Sequence, residues 1–352
     1  MKYKVLGNSE IKVSHIGLGT MTFGEQVDKI TSFKILELAI DEGINFIDTA
    51  EIYSAPTRRE TYRLSESIIG EWLQHQQRDK IILASKVAGP NREGQDWIRK
   101  GKGMTGEDII RSCEESLKKL KTDYIDLYQI HWPERYGPNF CQMYYDPAKD
   151  HSSTSIQEQL EAFDKLIKAG KIRFLGLANE TAYGVAEFIR VSDLYGLPRI
   201  QSLQNHYSLT NRSYENGLDE ILYKSNVSMF AYSPLSFGML TGKYDNIVSG
   251  TNTNTDVGRL NKFKEYARRK WCCNLSIKAS KAYNDLAREI GLTPTELALS
   301  YCFNKWSITC TLLGVTSMQQ LKENISAKPI ELSKDVLSKI DEIRWEYRDP
   351  TA

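Results

Sequence analysis

A closed (β/α)8 barrel of the TIM type, with an N-terminal β-hairpin and extra C-terminal helices, is the fold that three features of this 352-residue chain predict. The first is a set of short apolar runs, typified by Ile81-Ile82-Leu83-Ala84-Ser85-Lys86-Val87. Runs that are apolar on both faces read as strands of a parallel sheet covered on each side. The second is their strict alternation with segments of helical spacing, which calls for parallel strands joined by helical crossovers. The third is their number: eight strand-helix units suit a closed barrel better than an open sheet.

In chain order, a hairpin at about 3–6 and 11–14 precedes the first barrel strand, Ile16-Gly17-Leu18-Gly19. The next strands are expected at 44–48, 81–86, 124–131, 172–177, 200–204, 227–232 and 308–313. Helical spacing fills 32–41, 60–75, 106–120, 155–169, 182–195, 213–225, 275–290 and 294–304, and two last helices occupy 317–326 and 333–346. Punctuation supports this order. Thr105-Gly106-Glu107-Asp108 is a helix start with early acids, Lys168-Ala169-Gly170-Lys171 a basic last turn with a glycine stop. Thr293-Pro294 puts proline at a first helical position. No shift in composition marks a second domain, so residues 1–352 read as one barrel. Two long stretches, 133–155 and 235–270, follow strand C-termini, where long loops form lids or binding loops.

Bulk composition excludes several classes. With 46 basic and 45 acidic residues the net charge is +1, which gives no electrostatic case for nucleic acid or an anionic membrane. The basic run 262–270, with Arg268, Arg269 and Lys270, reads as a solvated helix face whose neighbouring loop can touch phosphate. The N-terminus lacks the apolar core of a signal peptide, and no stretch approaches the roughly 18 apolar residues of a membrane span. Six cysteines, at 113, 141, 272, 273, 302 and 310, include no C-x-x-C and no metal-ligand spacing. A cytoplasmic protein with reduced packing thiols and no metal is expected.

Four residues near strand C-termini carry the chemistry: Asp48, Tyr53, Lys86 and His131. Barrel topology brings such positions to one mouth. There a lysine ammonium beside the tyrosine is expected to lower its pKa, an aspartate to hold the lysine charged, and a histidine to orient a carbonyl oxygen. The set suits protonation of an oxygen that becomes an alcohol. Taken singly, each has a plainer reading: a turn aspartate, a surface tyrosine, the solvated end of a strand, a structural histidine. Their recurrence at three neighbouring strands favours the set.

Longer matches carry a resemblance. Gly17-Leu18-Gly19-Thr20-Met21-Thr22-Phe23-Gly24, Phe46-Ile47-Asp48-Thr49-Ala50-Glu51-Ile52-Tyr53, Ala84-Ser85-Lys86-Val87 and Asp123 through Pro133 resemble the aldo-keto reductase superfamily, in particular its bacterial Tas-type branch. So do Gly170-Lys171-Ile172-Arg173, Ala231-Tyr232-Ser233-Pro234-Leu235, Leu240-Thr241-Gly242-Lys243-Tyr244 and Thr311-Leu312-Leu313-Gly314-Val315-Thr316. The resemblance implies a catalytic tetrad of Asp48, Lys86, Tyr53 as proton donor and His131 as substrate orienter. It also implies NADPH as hydride source for an aldehyde or ketone. For that cofactor it implies Asn179 and Gln204 at the nicotinamide carboxamide and Tyr232 stacked on the ring. Ser233, Leu235, Gly238 and Lys243 belong to the loop over the pyrophosphate, with Arg259 as a further phosphate contact. Gly314 opens the last cofactor segment, Thr316 and Gln320 lie by the adenosine 2′-phosphate region, and Glu323 and Asn324 by the adenine. Trp132, Tyr144 and Tyr145 are expected to line a pocket for a hydrophobic or aromatic carbonyl compound.

One departure stands out. The family often has Ser-Asn after the fifth strand, and this chain has Ala178-Asn179; the lost hydroxyl bears on one expected cofactor contact, not on cofactor binding itself. The Rossmann fingerprint is absent, because Gly17-x-Gly19 is followed by Thr22 where a third glycine belongs. A second functional reading is a cofactor-sensing binding subunit, like the potassium-channel β subunits that share the fold and similar tetrads. A glycosidase-type hydrolase fails, because the strand ends supply one aspartate, a lysine and a histidine instead of two placed acids.

Overall fold

Alternation within each strand decides what faces the barrel axis. In the computed structural model, which describes residues 1–90, 95–101, 103–138, 142–246, 259–263, 270–327 and 329–352, eight parallel strands close on themselves. They are β3 (Ile16–Gly19), β4 (Phe46–Asp48), β5 (Ile82–Val87), β6 (Ile125–Ile130), β7 (Ile172–Ala178), β8 (Ile200–His206), β9 (Ser228–Tyr232) and β10 (Ile308–Gly314). The last, β10, pairs with both β9 and β3. Successive strand residues point to opposite faces. Ile47, Leu83, Tyr128, Leu175, Met229 and Leu313 accordingly join the large core shared with the surrounding helices. Phe46, Ile82, Ala84, Leu127, Phe230, Cys310 and Leu312 fill the interior. The same period carries Asp48, Lys86 and Gln129 inward, one layer nearer the C-terminal mouth.

The other end of the barrel is sealed by the hairpin β1 (Tyr3–Val5) and β2 (Lys12–Ser14), an antiparallel pair. Leu6, Ile11 and Val13 pack into the inner cluster from below. Lys4 donates to the Ile308 carbonyl across the barrel floor.

The helices are α1 (Lys29–Asp41), α2 (Leu64–Leu73), α3 (Gly106–Leu120), α4 (Ile156–Lys168), α5 (Ala182–Tyr195) and α6 (Leu218–Ser225). After β9 come α7 (Asn274–Glu289) and α8 (Pro294–Asn304), and after β10 come α9 (Met318–Ser326) and α10 (Lys334–Glu346). Thr105 and Thr293 each form a reciprocal capping box, with Asp108 and Glu296. Three boundaries differ from expectation. Asp28 caps α1 with its carboxylate, so the helix begins earlier. The stretch up to Arg63 is spent on the loop that carries Tyr53, so α2 starts at Leu64. Gly217, at φ +98°, splits the expected helix 213–225 into a short 3₁₀ turn and α6. The basic run 262–270 and Cys141 lie largely outside the described residues. The five described cysteines are all free thiols, and no helix among the described residues is long and apolar enough to cross a membrane.

Close packing of α2 on α3 yields a testable result. A Cβ added at Gly70 would sit 2.8 Å from Leu120 Cα and closer still to the Lys119 carbonyl oxygen. Gly→Ala within a helix normally stabilises by about 0.5–1 kcal/mol. Here the clash with backbone reverses the sign, and Gly70→Ala is expected to cost about 1–3 kcal/mol in denaturant unfolding.

Candidate active site

Asp48 is the last residue of β4, Lys86 lies near the end of β5, and His131 directly follows β6. In-register pairing of Asp48 with Ala84 puts the Lys86 side chain one layer above and beside the aspartate. Lys86 Nζ donates to Asp48 Oδ2 at 2.6 Å and to the Thr49 carbonyl at 2.8 Å. Asp48 Oδ1 accepts from Gln204 Nε2 at 2.8 Å and from Gln129 Nε2 at 3.3 Å. Both oxygens of the buried carboxylate are thus bonded, which a buried charge requires.

Tyr53 reaches over this pair from the loop after β4. Its ring centroid lies 5.2 Å from Lys86 Nζ and 5.6 Å from the His131 ring, which it meets edge-on. All four predicted residues therefore converge at one mouth. The expected electrostatics do not hold. Burial, then the Asp48 charge, then Tyr232 push the Tyr53 phenol well above its ordinary pKa. The Lys86 ammonium is committed to Asp48 and the Thr49 carbonyl, and burial pulls its own pKa down against the opposing pull of Asp48. Tyr53 is consequently a neutral phenol, a donor rather than a base.

A buried ionic hub that sequence reasoning missed holds the Tyr53 loop. Glu51, two residues before Tyr53, is fully buried. It accepts from Arg63 (2.8 Å), Arg99 (2.9 Å), Tyr62 (2.8 Å), Ser112 (2.6 Å) and the Ala88 amide. Arg63 also binds Glu66 at 2.8 Å, and Glu66 accepts from Ser85 at 2.6 Å. Two buried carboxylates and two guanidinium groups form the hub, and exposed Glu115 lies 3.3 Å from Arg63 at its edge. A cavity of about 310 Å³ lined by Glu51, Arg59, Tyr62, Trp97 and Arg99 opens behind the hub and contains none of the four mouth residues.

The expected cofactor positions ring the other half of the mouth. Asn179, in left-handed backbone at φ +53°, donates to the His131 carbonyl (2.8 Å) and accepts from the Tyr232 hydroxyl (2.7 Å). Tyr232, at the end of β9, stacks on His206 with centroids 5.6 Å apart. Left-handed residues recur through the next loop, at Ser233, Ser236, Phe237, Gly238 and Gly242. Such runs turn successive amides toward one point and form anion-binding concavities. Leu235 accepts from the Gly238 and Leu240 amides and closes that loop.

Two cations flank it. Arg259 packs over Phe237 and reaches the Gly314 carbonyl at 3.4 Å, and Lys243 lies against Gly238 and Tyr244. Neither has a carboxylate partner among the described residues. Burial pulls Arg259 down to about 10, and burial and the Arg259 charge pull Lys243 down. A buried cation whose charge bears on a second one, neither with a described carboxylate partner, makes a site prepared for an anion. Opposite them, Ser317 caps α9, and Gln320 turns back to accept from the Thr316 amide (2.9 Å) and hydroxyl (3.1 Å). Glu323 is exposed and accepts from Gln319, whereas Asn324 is buried. A group with the chemistry of a dinucleotide fits this donor set: amides and a stacking ring at one end, paired cations and a helix N-terminus at the other.

Among the expected pocket residues, Trp132 is buried and packs with Tyr53, Tyr62, Trp97 and Ile52. Its indole donates to the Pro90 carbonyl at 2.9 Å. Tyr144 is 81% exposed, and Tyr145 packs on Tyr136, so neither is brought against the four mouth residues.

Comparison with known proteins gives a concordant result. The family model described as the aldo/keto reductase family matches residues 15–344. The protein Tas of Escherichia coli K12 is 41% identical over 351 residues, 99% of each chain. The uncharacterised oxidoreductase YrpG of Bacillus subtilis is 30% identical over 345 residues, 97% of this chain and 96% of its own. A probable voltage-gated potassium channel β subunit of Arabidopsis thaliana is 27% identical over 353 residues, 97% of this chain and 96% of its own.

Proposed function

The chain belongs to the aldo/keto reductase family of oxidoreductases, and on that premise we propose that it reduces aldehydes or ketones to alcohols with NADPH. The observation that carries this reading is the neutral Tyr53 phenol set beside His131 and above the buried Asp48–Lys86 pair. A phenol held protonated is the general acid that carbonyl reduction needs. His131 donates to the carbonyl oxygen and fixes its orientation toward Tyr53. As the oxygen gains electron density, the Tyr53 proton moves onto it and the alcohol forms. The phenolate left behind has the Lys86 ammonium 5.2 Å from its ring centroid, so its charge forms near a cation that stays bonded to Asp48. Tyr53 is partly exposed, so water restores its proton.

The same mouth supports a place for the cofactor. Bound there, NADPH supplies the hydride. Asn179 and Gln204 would hold the carboxamide, Tyr232 would stack on the ring, and Ser233, Leu235, Gly238 and Lys243 would cover the pyrophosphate. Arg259, Gly314, Thr316, Gln320, Glu323 and Asn324 would hold the adenosine end. With Lys243 at the pyrophosphate, Arg259 supports NADPH over NADH, since the 2′-phosphate adds the charge that it lacks. Fluorescence titration tests this. Arg259→Ala is expected to weaken NADPH binding by about 10–100-fold, the worth of one charged hydrogen bond, and NADH binding much less. Equal losses for both cofactors would remove Arg259 from the 2′-phosphate.

Similarity to a potassium-channel β subunit keeps a second reading, a cofactor-sensing binding subunit. Tight NADPH binding without turnover over a broad carbonyl panel would favour it.

A further inference from the structure

The hydroxyl cluster beneath the cofactor loop is joined to a distant part of the chain, and we infer that residues 349–351 latch that loop and set how fast the cofactor leaves. After α10 the chain folds back, and Thr351 becomes fully buried. Its amide and hydroxyl both donate to the Thr210 carbonyl, at 3.2 and 3.0 Å. Its hydroxyl also lies 2.9 Å from the Thr210 hydroxyl. Thr210 Oγ1 is 2.6 Å from Ser236 Oγ, and Ser236 donates on to Ser208 at 3.0 Å. Ser236 belongs to the left-handed run of the loop after β9, so the chain of hydroxyls ends in the loop itself.

A second branch reaches the ring behind Tyr232. Asn211 Nδ2 lies 3.3 Å from the Thr351 carbonyl and 2.7 Å from His206 Nδ1. A donor at Nδ1 leaves the His206 proton on Nε2, which faces Ser208 Oγ at 3.5 Å. His206 is thereby fixed in plane against Tyr232. The latch is itself anchored: Asp349 accepts from the Arg212 amide (2.6 Å) and from Arg344 (3.3 Å), and the Pro350 carbonyl from Ser276 (3.0 Å). All of these groups are buried or half-buried, so opening the loop leaves several polar groups unpaired at once. A network with that property resists partial opening.

This inference rests on the reading that Tyr232 and the 233–242 loop hold a nicotinamide cofactor. Thr351→Val keeps shape and removes the hydroxyl, and Thr351→Ser keeps the hydroxyl. NADPH dissociation from each, followed by stopped-flow fluorescence, is expected to be about 5–10-fold faster in Thr351→Val and unchanged in Thr351→Ser, with the aldehyde KM unaltered. Ser236→Ala, which cuts the network inside the loop, is expected to match Thr351→Val and serves if that variant fails to fold. A wild-type dissociation rate in both hydroxyl-lacking variants, whatever their Tm, overturns the latch alone. Failure of the wild type to bind any nicotinamide cofactor overturns the cofactor reading and the latch together.

Discussion

Tyr53→Phe is expected to lower kcat for carbonyl reduction by about 10²–10⁴-fold, the usual contribution of a positioned general acid, while NADPH affinity stays within about twofold. The substitution removes only the hydroxyl. The ring keeps its edge-on contact with His131 and its packing on the apolar cluster that includes Trp132, so the fold and the cofactor half of the mouth are untouched. Dependence on pH follows from the direction of the shifts. Burial and Asp48 hold Tyr53 protonated well beyond its ordinary range, so its donor form is present throughout neutral and mildly alkaline pH. Lys86 is shifted the other way, downward. An alkaline fall in activity is therefore expected to report loss of the Lys86 charge before ionisation of Tyr53. Lys86→Met should abolish that fall together with most of the activity, and pH–rate profiles of the two proteins check this.

Glu51→Ala is expected to cost about 3–5 kcal/mol of stability, because it leaves buried Arg99 without its carboxylate and takes one of those that Arg63 binds. Glu51→Gln keeps an acceptor for the Ala88 amide and should cost less. Burial alone pushes the Glu51 carboxyl up, yet Arg99, Arg63 and the Ser112 hydroxyl hold it below its ordinary value. A carboxylate with a depressed folded pKa adds stability above its unfolded pKa, and that stability is lost as pH falls through the folded value. The wild type should thus lose this contribution below about pH 4, and Glu51→Gln should show a shallower acid limb in denaturant titrations at stepped pH. Because Glu51 ties the Tyr53 loop to the Ala88 amide, to Arg99 and to α3, Glu51→Gln is also expected to lower kcat more than KM.

Much of the barrel was readable because its strands are short, apolar on both faces and separated by well-capped helices. Ile81 through Val87 and Thr105 through Asp108 needed no partner elsewhere to be interpreted. The four mouth residues were equally legible, since three sit at or beside a strand end, Tyr53 follows five residues after one, and topology does the rest. Glu51 was not. Its partners Arg63, Arg99 and Ser112 lie 12, 48 and 61 positions away, and only the folded chain brings them together. A glutamate directly behind Asp48-Thr49-Ala50 was the one available hint. The start of α2 was misplaced for a related reason: residues up to 63 have helical composition but are drawn into that hub. The Tyr53 electrostatics were misread because proximity of a lysine was weighed without burial. Thr351, in an unremarkable Asp-Pro-Thr sequence, gave no signal before its contacts with Thr210 were visible.

The most direct test of the proposed reductase is turnover. Purified protein is mixed with NADPH and an activated aromatic aldehyde, and the near-ultraviolet absorbance of the reduced nicotinamide is followed alongside alcohol formation. Loss of NADPH matched one-for-one by alcohol, and absent in Tyr53→Phe, is the predicted result. NADPH bound tightly but not consumed across a broad panel of aldehydes and ketones would contradict it and leave a cofactor-binding subunit in its place.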